Sequence, residues 1–447
     1  MNRIYQPVYW SYRALSGGWY WMHRRFTLAG LCLLGGLVIA GAGGVDIENS
    51  VTYQAFSLLA GFLLLACACS FFFRAKFSAI RRLPRVGTAG LPLHYHVEVE
   101  NLTNKNQAGL TLLEDLTDPR PTYDEWLRFQ LAEGRRVRPF RVAQRRRKQP
   151  FRLAHAKAAE IPPMAAGGGA EVRVEVFPLR RGILRFNGVT IARPDPLGIF
   201  RAFIRLPLPE SVLILPKRYP LPSFALPGAL RYQEGGVALA ANIGRSEEFV
   251  ALRDYRHGDP LRHIHWRSWA RTGRPIVKEF EDEFFVRHAL ILDTFDDEPN
   301  SEVLEECVSV AASFACTLLT QESLLDLLFV GSQSYCFTAG RGLAHADQML
   351  EILASVNNCA GQNFAVLEQL VLNHIAAVSG CICVLQRWDE DRRQLIKKMR
   401  TVGVPLLVLV VIPPGAARPE PGPLGDEPQN FHVLEIGRIR EELAKLT

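Results

Sequence analysis

Three aspartates at the end of an apolar run are the residues best placed to do chemistry. Asp293, Asp296 and Asp297 belong to the sequence DTFDD, which closes an apolar run that begins at His288. Carboxylate oxygens are the ligands that hard cations such as Mg²⁺ prefer. Because sheets of parallel strands bind ligands at the carboxyl ends of those strands, Asp293 and Asp297 are a candidate cation site.

Histidine or cysteine chemistry is not favoured by the spacing of these residues. His263 and His265 share a face only in an extended chain, and no cysteine stands at zinc-finger spacing from them or from His257. The nine cysteines include no C-x-x-C pair, which is typical of reduced thiols in a reducing compartment. The sequence also lacks a Walker lysine, a nucleophile elbow and a dinucleotide fingerprint. We therefore expect no enzymatic activity; the alternative is a hydrolase whose side chains converge only in space.

The segment 247–283 is densely charged yet nearly neutral. Between residues 245 and 283 there are eight basic and eight acidic side chains, which indicates ion pairing within the segment or with a partner. A turn at Gly258-Asp259-Pro260 would let Arg253 and Asp254 meet Arg267 or Arg271, and Trp266 could stack on an arginine. Two hypotheses stay open: a structural seam between domains, or a docking face for a protein partner. The residues of this candidate site are Arg253, Asp254, Tyr255, Gly258, Asp259, Arg262, Trp266 and Arg271.

Two uncharged runs, 27–45 and 51–73, predict a membrane hairpin after an N-terminal segment of residues 1–26. At about 1.5 Å per residue they give helices of roughly 28 and 34 Å, enough to cross a hydrocarbon core. Arginines and lysines flank the hairpin, whereas the connection at 46–50 is acidic, so the positive-inside rule places both termini in the cytoplasm. A cleaved signal peptide or a buried pair of soluble helices are the alternatives. Tyr9, Trp10, Tyr12, Trp19, Tyr20 and Trp21 are candidate interface anchors.

Residues 91–217 predict an antiparallel β-sandwich, because short runs there alternate apolar and polar residues. Within this domain lies a basic stretch without acidic residues, which indicates contact with anionic headgroups or a solvated strand edge. We do not expect nucleic-acid binding, since no aromatic-interleaved RNA-binding motif accompanies it. The candidate basic patch comprises Arg135, Arg136, Arg138, Arg141, Arg145, Arg146, Arg147 and Lys148.

A linker of residues 218–246 and the charged segment precede a second domain at 284–447. Its buried apolar runs alternate with amphipathic helical patterns, which predicts a mainly parallel, doubly wound α/β sheet. With 447 residues and 48% hydrophobic content, the chain is long enough for these domains. The fold class is therefore multidomain: a transmembrane hairpin, a β-sandwich and an α/β domain.

The α/β domain resembles a von Willebrand factor A domain, whose D-x-S-x-S loop helps to hold a magnesium-type ion. Asp293 aligns with the aspartate of that loop, but Phe295 and Asp297 stand where the serines would be. A phenyl ring cannot coordinate a hard cation. The resemblance therefore predicts no cofactor, with Mg²⁺ at Asp293 and Asp297 as the alternative.

The whole chain resembles the bacterial and archaeal domain-of-unknown-function 58 family. The resemblance rests on the N-terminal hairpin, on DPLGIF at Asp195–Phe200, and on RDYRHGDPLRHIHWRSWAR within the charged segment. It implies a bacterial inner-membrane protein that presents its domains to cytoplasmic partners, among them MoxR-type AAA+ ATPases. We therefore predict a membrane-anchored adaptor; a divalent-cation-dependent binding module is the alternative.

Overall fold

The computed structural model describes most of the chain in two compact units. The described residues are 2–43, 50–118, 120–136, 152–222, 249–257, 259, 261, 264–280, 287–296, 301–319, 324–339, 343–359 and 361–446. One unit comprises Met1–Arg218, Asp296–Ser309 and Leu350–Ala360, and the other comprises Tyr219–Phe295, Val310–Met349 and Gly361–Thr447.

The first unit contains three N-terminal helices and a β-sandwich. The helices are α1 (Asn2–Arg25), α2 (Leu28–Gly43) and α3 (Ser50–Phe71), and a later helix, α4, covers Tyr123–Arg136. The strands are β1 (Phe77–Arg82), β2 (Val86–Thr88), β3 (Leu93–Asn101), β4 (Leu110–Leu116), β5 (Ala154–Ala156), β6 (Ala159–Ile161), β7 (Gly169–Pro178), β8 (Gly182–Pro194) and β9 (Arg201–Leu215).

The helices α2 and α3 lie side by side. Gly36 of α2 faces Leu59, and Gly41 faces Phe56, where an added Cβ would be in ordinary van der Waals contact. Of the helices in the described ranges, only Val51–Phe71 within α3 is long and apolar enough to cross a membrane; α2 is apolar but shorter. Residues 44–49, which include most of the predicted acidic connection, lie outside the described residues.

The β-sandwich consists of two sheets with strand orders β1-β3-β7-β5 and β2-β9-β8-β4-β6. Strand β3 alternates buried and solvent-facing residues, as the period-two pattern predicts. Side chains from both sheets, including Val97, Val174, Phe186 and Ile191, form one core. The sandwich differs from the prediction for residues 91–217 in two ways. Strands β1 and β2 precede residue 91, and the helix α4 lies between β4 and β5 in the sequence. Strand β1, FSAIRR, has too few apolar residues for its alternation to be recognised.

An ion pair is enclosed in the sandwich core. Arg81 donates to Glu114 over 2.7 and 3.4 Å and to the carbonyl oxygens of Leu208 and Gly188 over 3.0 and 3.1 Å. Both side chains are fully buried, and burial raises the pKa of Glu114 whereas Arg81 opposes that rise. Arg81 belongs to β1 and Glu114 to β4, so this buried ion pair joins the two sheets of the sandwich, with each charge facing its partner.

The second unit contains a β-hairpin with a short helix, followed by an α/β domain. The hairpin strands are β10 (Phe249–Asp254) and β11 (Ile276–Phe280), with α5 (Trp266–Thr272) between them. The remaining strands are β12 (Arg287–Leu292), β13 (Leu324–Val330), β14 (Ser334–Ala339), β15 (Gly380–Leu385), β16 (Leu406–Ile412) and β17 (Phe431–Glu435). The helices are α6 (Glu302–Leu319), α7 (Leu343–Ser355), α8 (Ala365–His374), α9 (Glu390–Val402) and α10 (Ile439–Leu443), of which α6 and α7 span unit boundaries.

Six strands form the α/β sheet in the order β14-β13-β12-β15-β16-β17. All neighbouring strands are parallel except β13 and β14. The central strands are buried almost throughout, because helices cover both faces of such sheets. The mainly parallel sheet predicted for this domain is therefore present. Strand β12 has β13 as its neighbour on one side and β15 on the other. The strand order therefore reverses between the paired strands β12 and β15.

Candidate functional site

The candidate site lies where the strand order of the α/β sheet reverses. Asp293 follows β12 directly, and Gln386 follows β15, so their backbones meet at the carboxyl edge of the sheet. The amide of Gln386 donates to Oδ2 of Asp293 over 3.2 Å, and the Gln386 side chain donates to the Asp293 carbonyl oxygen over 2.9 Å. Open α/β sheets bind ligands at this point, which makes Asp293 the residue to consider first.

A guanidinium group occupies the space in front of Asp293. Arg392 donates from Nε to Oδ2 and from Nη2 to Oδ1 of Asp293, both over 3.1 Å. The ring of Phe364 lies 4.2 Å from the centre of the guanidinium, in a cation–π contact. Phe295 packs edge-on against Phe364, which covers the pair further. Fork-shaped pairing of this kind fixes both distance and orientation.

The start of α9 positions Arg392. Asp389 is the N-cap of this helix, and its side chain accepts from the Arg392 amide over 3.2 Å. The other Asp389 oxygen accepts from Nη1 of Arg392 over 2.8 Å, so the cap also orients the guanidinium. Aspartate at the N-cap stabilises the exposed amides of the first helical turn. The N-cap residue Asp389 thus orients the Arg392 side chain toward the carboxyl edge of the sheet.

Each carboxylate oxygen of Asp293 accepts two hydrogen bonds. Oδ1 accepts from the Phe295 amide over 3.0 Å and from Arg392, whereas Oδ2 accepts from the Gln386 amide and from Arg392. Complete burial raises the pKa of Asp293, and Arg392 and the two amides oppose this rise. Burial alone would lower the pKa of Arg392, but Asp293, together with Asp389 and Asp391, more than offsets it, and the pKa is raised. A metal ion could reach these oxygens only by displacing donors that are already in place.

The other residues of the candidate cation site give limited support to it. Asp296 is buried, and Asp297 lies outside the described residues. The Thr294 hydroxyl donates to the carbonyl oxygen of Val330, the last residue of β13, over 2.5 Å. Among the residues that the structure describes, no group of three or more His, Cys, Asp or Glu side chains is arranged to hold a metal ion.

The charged segment forms a compact hairpin of its own. Arg253 donates to both oxygens of Asp259 over 2.7 and 2.8 Å, and the Arg256 amide donates to the same carboxylate over 2.8 Å. Hydrogen bonds from Arg253 and then from the Arg256 amide lower the pKa of Asp259 to about 2. The prediction had Arg253 and Asp254 meeting Arg267 or Arg271 across the turn. The ion pair found for Arg253 is instead with Asp259, a residue of the predicted turn itself. Gly258 and Arg262, both predicted members of this site, lie outside the described residues.

The tryptophans of the segment stack on each other. The rings of Trp266 and Trp269 are 5.3 Å apart and inclined by 19°. Trp266 is 63% exposed, and exposed Leu252 and Leu261 belong to the same segment. The backbone amide of Tyr255 donates to the Pro275 carbonyl oxygen over 2.9 Å. Asp254 and Arg271 are exposed. The hairpin therefore combines a hydrogen-bonded carboxylate with an exposed aromatic group.

The remaining predicted residues are dispersed. Arg135 and Arg136 end α4, whereas Arg138, Arg141, Arg145, Arg146, Arg147 and Lys148 lie outside the described residues. His257 is exposed, His265 contacts the Ser268 hydroxyl over 2.6 Å, and His263 is outside the described ranges. Cys307, Cys359, Cys381 and Cys383 are buried free thiols. Burial raises the pKa of Cys381 to about 12, so this thiol stays protonated and unreactive.

Sequence reasoning missed Arg392 and Gln386. Asp389 three residues before Arg392 was a readable helix-start signal, but nothing in the sequence joins Arg392 to a carboxylate 99 positions earlier. Gln386 follows the apolar run CICVL, and nothing in this run indicates that the Gln386 amide faces Asp293. Both partners follow from strand order, which the sequence pattern did not determine.

Most of the hairpin and Asp293 lie in a segment that is similar to a known protein family. Residues 251–385 match the sequence profile of a family described as "Protein of unknown function DUF58". A relative, "Uncharacterized protein YeaD" of Bacillus subtilis (strain 168), is 28% identical over 182 residues, which is 40% of this chain and 44% of that protein. The chain thus spans less than half the length of this relative. Arg392 lies beyond the matched segment.

Comparison with solved structures gives only distant likenesses. The ASH / PapD-like domain of human CEP192 is 12% identical, with a TM-score of 0.18 over 32% of this chain and 86% of that domain. A cohesin module from a Clostridium perfringens ATCC13124 family 33 glycoside hydrolase is 7% identical, with a TM-score of 0.16 over 32% and 98% of the two chains. Scores this low support no inference about fold or function.

Proposed function

We propose that this protein is a membrane-anchored adaptor without enzymatic activity that binds a cytoplasmic protein partner through its charged hairpin. The observation that carries the proposal is the exposed Trp266 ring, stacked on Trp269 inside the segment that matches the family profile. Tryptophan and arginine are the residues that most often dominate protein–protein binding. An exposed indole on this hairpin therefore supports a docking face over a purely structural seam.

The proposed anchor is the pair of apolar helices α2 and α3, spanning the bacterial inner membrane with both termini in the cytoplasm. The apolar character of both helices, their side-by-side packing and the basic residues that flank them favour this arrangement. The anchor is tested by alkaline extraction of membranes from cells that express the full chain. The proposal expects the chain to stay in the membrane pellet; release into the supernatant would contradict it.

For the α/β domain we propose a von Willebrand A-like adaptor that needs no divalent cation. The supporting observation is that Arg392 supplies a positive charge to Asp293 where an ion would otherwise sit. A guanidinium held by two carboxylates and an aromatic ring is a permanent cation, since arginine does not lose its proton in proteins. Ligand binding at this edge would then be independent of Mg²⁺ concentration, in contrast to the alternative that uses Asp293 and Asp297.

The partner that the family resemblance suggests is a MoxR-type AAA+ ATPase. It is tested by affinity capture of the full chain from detergent-solubilised membranes, with Trp266→Ala as the variant. Ile183→Ala is a matched control, since Ile183 is an exposed apolar residue of the β-sandwich. We expect the unaltered chain and the control to capture the ATPase, and Trp266→Ala to capture at least about tenfold less, as for loss of a binding hot spot.

Repeating the capture experiment with a chelator distinguishes this proposal from the cation-dependent alternative. Capture repeated in EDTA is expected to be unchanged, because Arg392 rather than a metal ion faces Asp293. Release of the ATPase by EDTA, with recovery on adding Mg²⁺, would favour the alternative. Equal capture by Trp266→Ala and the unaltered chain would refute the docking face.

A further inference from the structure

Four arginines gather at the junction between α1 and α2. Alternation along β9 places Arg201 and Arg205 on one face of the strand, with Phe203 between them. The guanidinium of Arg25 lies 4.2 Å from the Phe203 ring centre, and that of Arg24 lies 5.9 Å from it. Nη1 of Arg25 also donates to the Arg201 carbonyl oxygen over 3.1 Å. We call Arg24, Arg25, Arg201 and Arg205 the arginine cluster.

The arginine cluster has a surplus of positive charge. Arg24 pairs with Asp115 over 2.5 Å. Within the described ranges no carboxylate lies at ion-pair distance from Arg25, Arg201 or Arg205. Burial, and next the charge of Arg205, lower the pKa of Arg25, which indicates that these cations repel one another. A site with three uncompensated cations is prepared for an anion.

Two donors of the cluster are buried without a partner. They are Nη2 of Arg24 and Nε of Arg25, neither of which has a hydrogen-bond acceptor in the structure. Buried donors are almost always satisfied, so an unpaired guanidinium nitrogen points to an acceptor that binds there. A group with several oxygen acceptors would satisfy both nitrogen atoms and neutralise the cluster. Phosphate oxygens match the fork of a guanidinium in this way.

The cluster is fixed at one end of the apolar helices. The Thr27 amide donates to the Ile199 carbonyl oxygen over 3.1 Å, and the Thr27 hydroxyl donates to the Gly198 carbonyl oxygen over 2.5 Å. Phe26 packs edge-on against Phe200, with ring centres 5.1 Å apart. The turn between β8 and β9 is thereby held against the start of α2.

Asp195 gives that turn its shape. Its carboxylate accepts from the amides of Leu197, Ile199 and Phe200 over 3.0, 2.7 and 2.6 Å. Just beyond the end of α3, the guanidinium of Arg193 lies 5.4 Å from the ring centre of Phe73. Cations therefore lie close in sequence to the start of α2 and beside a residue that follows the end of α3.

We propose that the arginine cluster binds the phosphate group of an anionic phospholipid. The proposal rests on the membrane anchor proposed above, because α2 and α3 would then place the cluster at headgroup depth. Basic side chains at this depth are attracted to anionic lipids of the cytoplasmic leaflet. The lipid phosphate would lie within the arginine cluster and accept from the two unpaired nitrogen atoms, Nη2 of Arg24 and Nε of Arg25.

The test uses the full chain in lipid nanodiscs made from equal parts of phosphatidylcholine and phosphatidylglycerol. After mild detergent extraction, the lipids that stay with the protein are quantified by mass spectrometry. The variant Arg25→Gln/Arg205→Gln removes two cluster charges. The control Arg173→Gln/Arg185→Gln removes two charges from exposed positions on the strands of the sandwich.

We expect phosphatidylglycerol to be enriched over phosphatidylcholine on the unaltered chain and on the control. The enrichment should fall roughly tenfold for the cluster variant, since each nearby cation contributes to headgroup binding. Equal enrichment of phosphatidylglycerol for the cluster variant and the control would overturn the proposal.

Folding and anchoring are controlled separately. The variant Arg25→Lys/Arg205→Lys keeps both charges but not the guanidinium forks, and an enrichment between those of the glutamine variant and the unaltered chain is expected. If the unaltered chain does not enter nanodiscs, both the anchor and the lipid site fail. If it enters them without lipid preference, only the lipid site fails.

Discussion

Replacing Arg392 with methionine tests the role of the buried ion pair. The substitution keeps an unbranched side chain of similar length against Phe364 but removes the charge that faces Asp293. Asp293 is fully buried and would retain only the amides of Phe295 and Gln386 as donors. Removing one partner of a buried pair typically costs about 3–5 kcal/mol, and the remaining amides favour the lower end, about 3 kcal/mol.

The stability lost in Arg392→Met should depend on pH. Burial already raises the pKa of Asp293 above its ordinary value of 3.8, and loss of Arg392 raises it further. A carboxyl group with a raised pKa in the folded state binds protons more tightly when folded, so stability increases as pH falls from above that pKa toward 3.8. Arg392→Met should therefore be less destabilised near about pH 5.5 than near about pH 8.

Hydrogen exchange measured by mass spectrometry on the full chain resolves the effect to the site. Amides of β12 and β15 should exchange roughly a hundredfold faster in Arg392→Met, since each 1.4 kcal/mol corresponds to about a factor of ten. Lys397→Met is a matched control, because Lys397 is exposed on the same helix. The double variant Asp293→Asn/Arg392→Met should recover part of the protection. Exchange in Arg392→Met equal to that in the control would refute the structural role of the pair.

Two further predictions concern other parts of the chain. A Cβ added by Gly30→Ala would lie 2.1 Å from the Ile199 carbonyl oxygen, so this variant should lose about 1–3 kcal/mol and unfold at a lower temperature in detergent, whereas Gly35→Ala, with open space, should not. The pKa of Asp259 falls from 3.8 to about 2 on folding, so its contribution is complete above 3.8 and disappears as pH falls through about 2. Hydrogen exchange of the hairpin amides, measured as a function of pH, should show this loss of protection, and Asp259→Asn should abolish the pH dependence. The same pH dependence in Asp259→Asn as in the unaltered chain would contradict a stabilising role of the Arg253–Asp259 ion pair.

The sequence was informative where a local pattern decides the structure. The continuous apolar runs at β12, β15 and β16 are buried on both faces, as expected for a parallel sheet with helices on each side. The alternation in β3 likewise places its valines in the sandwich core, because successive side chains of a strand point to opposite faces. In both cases the burial of each residue follows from its neighbours in sequence.

The sequence did not predict contacts between elements that are far apart along the chain. Arg392 and Asp293 come together only because β12 and β15 are neighbours and α9 begins beside them. The arginine cluster needs α1, α2 and β9 to converge through the turn at Asp195–Phe200, and no periodic pattern encodes that meeting. Pairings of this kind depend on topology, whereas composition and spacing describe only one element at a time.

The most direct test of the adaptor proposal is site-specific photo-crosslinking in intact cells. A photoreactive residue replaces Trp266 in one variant and Ile183 in a second, both of which are exposed in their own units. The proposal predicts a crosslink from position 266 to a MoxR-type AAA+ ATPase, and none to that protein from position 183. A crosslink from position 266 that joins only residues of the same chain would contradict the docking face and favour a structural seam.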